Sequence, residues 1–191
     1  MNPVVGVLAL QGGVREHVDL LRHLGASCVL VRRDADLVGL DALVLPGGES
    51  STIDRLLRIF ELRDPLRDAV ASGLPTLGTC AGLVLLAREV LDAAPGQGSL
   101  GLLDVAVRRN AFGAQLESQE VDLTTALGPA HVAFIRAPEV VDVGPGVKVL
   151  ARWGDAVVAV GERHITGLAF HPELTGDTTF HRALVAQARA R

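Results

Sequence analysis

One cysteine of this chain stands in a setting that could do chemistry. It is Cys80, in Gly78-Thr79-Cys80-Ala81-Gly82. The form Gly-x-nucleophile-x-Gly belongs to an elbow, where a tight turn between a strand and a helix lifts one side chain above the edge of a sheet. Residues 75–79 read as that strand and residues 81–90 as that helix. A thiol at a helix start gains from unpaired N–H groups and from the helix dipole, which favour its thiolate. The N–H of Ala81 would then face a developing oxyanion. The motif alone fits a buried structural cysteine equally well. Cys28, mid-strand between Ser27 and Val29 with no flanking glycine, reads as packing.

A base and its orienter are offered by Phe170-His171-Pro172-Glu173 at the end of the last strand. Pro172 pushes His171 into extended backbone. In extended chain, residues i and i+2 point to the same side. His171 and Glu173 can therefore face one pocket, with the carboxylate fixing the imidazole tautomer and the other ring nitrogen meeting a thiol. A lone His-x-Glu is more simply a surface pair. Its weight here comes from Cys80, because ligands of open parallel sheets gather at the carboxyl ends of strands. His23, His131, His164 and His181 lack such a setting and read as surface or satisfied structural residues. No Cys/His grouping has the spacing of a structural zinc site.

Leu45-Pro46-Gly47-Gly48-Glu49-Ser50 follows another strand. Paired glycines permit close approach of a ligand to main-chain N–H groups. Gly48 could donate to an oxyanion and Glu49 could meet a substrate ammonium. A plain turn followed by a Ser-capped helix is the competing account. The stretch lacks the Gly-x-x-x-x-Gly-Lys-Ser/Thr form of a phosphate loop. Gln11-Gly12-Gly13 also follows a strand and should end at the same sheet edge.

The elements that must position these residues alternate in the first half. Residues 4–10, 27–31, 42–45 and 75–79 read as strands, and residues 14–24, 51–60, 65–72 and 81–90 as helices. Such β–α repetition implies a parallel sheet with right-handed crossovers. Residues 103–109, 118–123, 131–136, 147–153, 156–162 and 165–170 read as short strands, some of them antiparallel. A helix over 178–190, capped by Asp177, closes the chain. Residues 93–99 are the most loop-like and are expected to be mobile. The expected fold is α/β: a single domain over residues 1–191, with a mostly parallel central sheet flanked by helices and extra antiparallel strands in the second half.

Hydrophobic residues make up 49% of the 191 and charged residues 21%, a globular balance, and the net charge is −4. That charge, with Lys148 the sole lysine, argues against nucleic acid as partner. Two cysteines do not make a disulfide framework, so a reducing, cytoplasmic compartment is expected. No apolar stretch approaches the roughly 20 residues of a membrane span, and the N-terminus reads as a first strand rather than a signal peptide.

GTCAG, FHPE and LPGGES together resemble the class I, triad-type glutamine amidotransferases. More narrowly, GVLALQGGVREH, LPGGESSTI, RNAFGAQ, FIRAP and FHPELTGD resemble the glutaminase subunit of pyridoxal 5'-phosphate synthase, from residue 5 to residue 177. The resemblance implies Cys80 as nucleophile, with His171 and Glu173 completing a triad. It implies Gly47, Gly48, Glu49, Arg109, Ile135 and Arg136 as holders of L-glutamine, Gly48 and Ala81 as oxyanion donors, and Gln11 and Gly12 as a loop coupled to a partner. That partner would be the synthase subunit, in a hetero-oligomer that uses the released ammonia. No cofactor or metal is implied. Ala114, where a basic residue often stands, and Gln119, where an aromatic often stands, depart from the pattern.

The reaction so implied is hydrolysis of the γ-carboxamide through a thioester. Three rivals remain: a glutaminase of histidine or cobalamin biosynthesis, a catalytically silent binding module, and a cysteine hydrolase or deglycase on a related sheet. RNAFG and FIRAP weigh against the first, and the intact Cys80, His171 and Glu173 against the second. Glu49 with two arginines favours an amino-acid substrate over the third.

Overall fold

The structure, a computed structural model, describes residues 2–109 and 118–190. In chain order the first half comprises β1 (Val4–Leu8), α1 (Val14–His23), β2 (Ser27–Val31), β3 (Ala42–Leu45), α2 (Ser50–Ile59), α3 (Arg63–Ala71), β4 (Thr76–Thr79), α4 (Ala81–Leu86) and β5 (Ala87–Leu91). The second half comprises β6 (Leu103–Arg108), β7 (Ser118–Thr125), β8 (Gly128–Ile135), β9 (Glu139–Val143), β10 (Lys148–Trp153), β11 (Ala156–Glu162), β12 (Ile165–Leu168) and α5 (Thr179–Arg189).

One sheet runs β2-β1-β3-β4-β12-β11-β10-β7-β8, with β5, β6 and β9 branching from it. Strands β2, β1, β3, β4 and β12 are mutually parallel. Beyond β12 the pairing turns antiparallel, through β11, β10, β7 and β8. The expected α/β class, with a parallel first half and antiparallel additions, is the observed one.

Sequence explains the layers. All of β3 and nearly all of β1 are buried, as strands covered on both faces must be. Helices α1, α2 and α3 each turn one apolar stripe inward: Val18 and Leu21, Ile53 and Leu57, Leu66 and Val70. Burial of each such side chain contributes about 1.5–3 kcal/mol relative to exposure. On the other flank, Phe170 meets Phe134 and Phe180 edge to face, with ring centroids 5.6 and 5.7 Å apart. This aromatic row pins the chain immediately before His171.

Several expected elements differ. The helix expected over 81–90 stops at Leu86, and residues 87–91 form a strand that pairs with β6 in parallel. Backbone N–H groups of Leu100 and Leu102 donate to the carbonyls of Leu85 and Leu86, ending the helical ladder. The entirely buried Ala81–Leu86 run has no amphipathic period to mark its end. Strand β9, after Pro138, has no counterpart among the expected strands; it pairs with β6 and touches β11. The helix after the glycine turn begins one residue early and is capped by Glu49 rather than by a serine. Asp177 does accept from the Thr179 N–H at the start of α5, 2.8 Å away. Residues 93–99, expected to be mobile, are fastened: Arg58 donates to the Gly96 carbonyl, Arg63 to that of Ser99, and the Gly98 N–H to Asp54.

Candidate active site

The parallel strands deliver their carboxyl ends to one edge. β4 ends at Thr79, and Cys80 follows with φ 48° and ψ −101°, left-handed backbone that non-glycine residues avoid. Its N–H is tied to the Leu168 carbonyl at 2.7 Å, which locks the elbow to β12. The flanking glycines are steric necessities. A side chain at Gly82 would overlap the Leu45 carbonyl, and one at Gly78 would crowd the Gly82 backbone.

His171 lies three residues beyond β12, and its backbone pairs with Ala133 of β8 in both directions, at 2.8 and 3.2 Å. Its Nδ1–H donates to Glu173 Oε1 at 2.6 Å, and its side chain is hydrogen-bonded to Cys80. All three side chains are buried or nearly so. Burial opposes the imidazolium, but the hydrogen bonds to Cys80 and Glu173 and their charges outweigh it, raising the pKa of His171 to about 10.

The two glycine loops meet over this group. Gly13 N–H donates to the Gly47 carbonyl at 3.0 Å, and Glu49 N–H to Gln11 Oε1 at 2.8 Å. Because peptide groups are planar and trans, the Gly48 N–H is directed away from Gly13. Gly12, at φ 106°, and Gly47 are confined by neighbours: a Cβ on Gly12 would overlap the Gly47 carbonyl, and one on Gly47 the His171 ring. Thr79 Oγ1 accepts from the Gly47 N–H at 3.0 Å, tying the turn to the elbow strand.

A cavity of about 300 Å³ opens beside Cys80. Gln11, Gly12, Gly47, Gly48, Glu49, Ala81, Arg109, Ile135, Arg136, His171 and Glu173 all line it, so every site residue singled out in the sequence reaches one space. Arg109 Nη2 donates to Glu49 Oε1 at 2.8 Å. Desolvation resists ionisation of Glu49, but hydrogen bonds from Ser51 and the charges of Arg109 and Arg136 prevail and lower its pKa. Arg136 lines the cavity, makes no side-chain hydrogen bond among the described residues, and sits on strained backbone at φ 42°. The cavity thus offers a carboxylate, a guanidinium and a thiol–imidazole pair in one space. That arrangement suits an amino acid whose side chain carries the reacting carbonyl.

Four residues near the site carry no sequence signal that assigns them to it. Gln97 holds Arg109 Nη1 at 2.7 Å from a loop with no motif to mark it. Thr79 stands out only as part of the elbow. His17 stands out only within a family-like stretch, and His181 reads in sequence as a surface or satisfied structural residue. Both histidines are fully buried, with His17 Nδ1 and His181 Nε2 2.8 Å apart. His17 Nε2 lies 3.2 Å from Thr79 Oγ1 and 3.5 Å from Glu173 Oε1. His181 Nδ1 has no partner among the described residues, so the reading of His181 as surface or satisfied is corrected. The available signal is a period: His17 and His181 fall on the inward stripes of α1 and α5. Cys28 is half-buried against the core, its thiol pKa raised by burial, as a packing residue should be. The segment around Ala114 lies outside the described residues, and Gln119 pairs with Phe134 across the β7–β8 ladder.

Comparison with known proteins agrees with this geometry. A crystal structure described as a glutamine amidotransferase superposes with a TM-score of 0.91 at 48% identity, covering 97% of this chain and 98% of the other. A putative GMP synthase protein from Thermoplasma acidophilum shares the fold, with a TM-score of 0.74 at 19% identity, covering 100% of this chain and 96% of the other. A Parafrankia sp. protein named pyridoxal 5'-phosphate synthase subunit PdxT is 58% identical, covering 98% of this chain and 94% of the relative. A protein of the same name from Cutibacterium acnes is 53% identical, covering 98% of each. The model of the SNO glutamine amidotransferase family matches residues 7–190, and the chain belongs to that family.

Proposed function

We propose that this chain is the glutaminase subunit of a pyridoxal 5'-phosphate synthase. It hydrolyses L-glutamine to L-glutamate and ammonia, and a synthase subunit consumes the ammonia. The observation that carries the reading is the hydrogen-bonded Cys80, His171 and Glu173 series at a strained elbow, opening on a cavity that Glu49 and Arg136 also line. The family membership and the names of the full-length relatives support it. The described chain acts as one glutaminase unit, since a single sheet carries every element of the site.

At the start of turnover His171 takes the thiol proton of Cys80. Glutamine enters with its ammonium toward Glu49 and its α-carboxylate toward Arg136, which is suited to a bidentate grip. Sulfur attacks the side-chain amide carbon, and the carbonyl electrons move onto oxygen. The N–H groups of Ala81 and Gly48 face that oxyanion. As the C–N bond breaks, His171 passes its proton to the departing nitrogen, and ammonia leaves. Neutral His171 then takes a proton from water, whose oxygen attacks the thioester. Glutamate departs, and sulfur and imidazolium are restored. Glu173 holds the Nδ1–H throughout, so only Nε2 exchanges protons.

The loop of Gln11 and Gly12 is the contact through which the synthase acts. It already holds both ends of the Gly47–Glu49 turn, so pressure on the first loop moves the second. The decisive measurement is glutamine turnover by this chain alone and with a pyridoxal phosphate synthase partner. We expect turnover to rise about 10²–10³-fold with the partner, the range that one oxyanion donor controls. Absence of glutamine hydrolysis in both tubes would overturn the assignment. Equal rates without complex formation would remove only the coupling. Its two thiols and glutamine substrate suit a reducing, cytoplasmic compartment. Among the described residues, no helix is long and apolar enough to cross a membrane.

A further inference from the structure

Arg109 reaches the cavity already paired. Both of its terminal nitrogens are occupied, Nη2 by Glu49 Oε1 at 2.8 Å and Nη1 by Gln97 Oε1 at 2.7 Å. The amide of Gln97 is itself engaged at both oxygen and nitrogen. Its Oε1 also accepts from the Ala94 N–H at 3.2 Å, and its Nε2 donates to Ser50 Oγ at 3.0 Å. Gln97 therefore spans from the first residue of α2 to the guanidinium that grips Glu49.

The same helix anchors the loop that carries Gln97. Asp54, buried on α2, accepts from the Gly98 N–H at 2.9 Å and from Arg58 Nη2. Arg58 in turn donates to the Gly96 carbonyl at 2.8 Å. The contacts close a ring: Glu49 to α2, Asp54 to the loop, Gln97 to Arg109, and Arg109 back to Glu49. Among the described residues, the side-chain hydrogen bonds of Arg109 go to Glu49 and Gln97, so Gln97 is what ties the guanidinium to the loop.

We propose that Gln97 is a positioning residue for substrate selection: by holding Arg109 it fixes the Glu49 carboxylate where an α-ammonium must dock. It makes the site select an α-amino acid amide over an amide that lacks the amino group. The proposal rests on the glutaminase reading above. Glu49 carries an inherent conflict that gives Gln97 its task. It is also the cap of α2, accepting from Ser51 N–H and Oγ at 3.2 and 2.8 Å. Left to the cap alone, one carboxylate oxygen would satisfy the helix and the side chain, 42% exposed, could swing. Arg109, pinned on its far side by Gln97, supplies the lateral hold.

The test compares two substrates in the complete complex with its synthase: L-glutamine and 4-carbamoylbutanoate, which has the same amide and carboxylate but no ammonium. Gln97→Leu removes both arms of the amide at similar size. We expect kcat/KM for L-glutamine to fall about tenfold, mostly through KM, the scale of losing a hydrogen bond to a charged group. kcat/KM for 4-carbamoylbutanoate should change by less than about twofold, so selectivity falls nearly as far as glutamine turnover does. Gln97→Glu, which keeps the acceptor oxygen for Arg109, should recover most of that selectivity. In a Glu49→Gln background, Gln97→Leu should have no further effect on selectivity, because the group it positions is gone. Equal losses for both substrates would show that Gln97 merely supports the loop and would overturn the proposal while leaving the glutaminase assignment intact. An unmutated complex that does not hydrolyse L-glutamine would overturn both.

Discussion

At the scale of single residues, the triad is defined by one proton. His171 is raised to about 10 against an ordinary 6.5, because hydrogen bonds and charges from Cys80 and Glu173 exceed the cost of burial. The group must be protonated to release ammonia. The kcat profile should therefore hold through neutral pH and lose its acid only as pH rises through about 10. In Glu173→Gln the support of a carboxylate is gone, and the alkaline limb should move to lower pH. An unmoved limb, measured by single-turnover ammonia release, would mean that Glu173 does not act through His171. Cys80→Ala should abolish turnover, by on the order of 10³-fold or more, while the melting temperature stays near that of the parent. The strained φ is the same for alanine, and one small group is lost. A glutamine-like electrophile should label Cys80 and spare Cys28, whose thiol burial holds in the neutral form; mass spectrometry of the labelled peptides decides between them.

Arginine makes a second case at this scale. The family resemblance implies that Arg136 and Arg109 grip the substrate alike, yet the structure gives them different surroundings. Arg109 is braced between Gln97 and Glu49, whereas the Arg136 side chain hydrogen-bonds nothing among the described residues. Arg136→Lys should raise KM for glutamine about tenfold or more, since a point charge does not replace a planar fork. A KM unchanged in steady-state assays would take Arg136 out of carboxylate binding.

Among the elements, the glycine turn after β3 is where backbone and catalysis meet. The His171 ring abuts Gly47, leaving no space for a Cβ. Gly47→Ala should displace the imidazole by a fraction of an ångström to an ångström, and misplacement of that size costs about 10²-fold in rate. Secondary structure should be unchanged, so circular dichroism together with kcat separates this outcome from unfolding. If the variant keeps full turnover, the close packing is not needed for catalysis. The elements themselves are legible to different degrees. Strands β1 and β3 stand out as apolar runs, and β4 by the proline before it and the elbow after it. The end of α4 and the existence of β5 and β9 do not, because a wholly buried helix has no stripe and a short strand is made by whichever partners lie beside it.

The whole molecule carries one stress that no local pattern announces. Burial, with neighbouring histidine charges, drives the pKa of His17 well below 6.5, and burial drives that of His181 to about 4. Both are neutral in the folded chain at neutral pH. The unfolded chain binds protons at these groups near 6.5, so below that pH it holds more protons than the native state. Stability from these groups is complete above about 6.5 and is lost as pH falls, for His181 through about 4. The melting temperature should drop across that window, and His181→Asn should flatten the drop. An equal slope in parent and variant, by calorimetry at matched ionic strength, would assign acid sensitivity to other groups.

Residue order is enough to expose the α/β alternation, the elbow around Cys80, the paired direction of His171 and Glu173, and the two glycine loops. Each of these is local: a period, a proline, a glycine at a turn. Four things were left to tertiary structure. It set β12 beside β4, residues 165–168 against 76–79, and so brought His171 to Cys80. It braced the cavity-lining Arg109 between Glu49 and Gln97. It buried His17 and His181 against each other from opposite ends of the chain. It also fastened a loop that composition alone marks as loose. The reason is the same in each case. Local sequence dictates backbone conformation over a few residues, whereas hydrogen-bond partners and burial are decided by groups tens to hundreds of positions away, which become neighbours only when the sheet has ordered its strands.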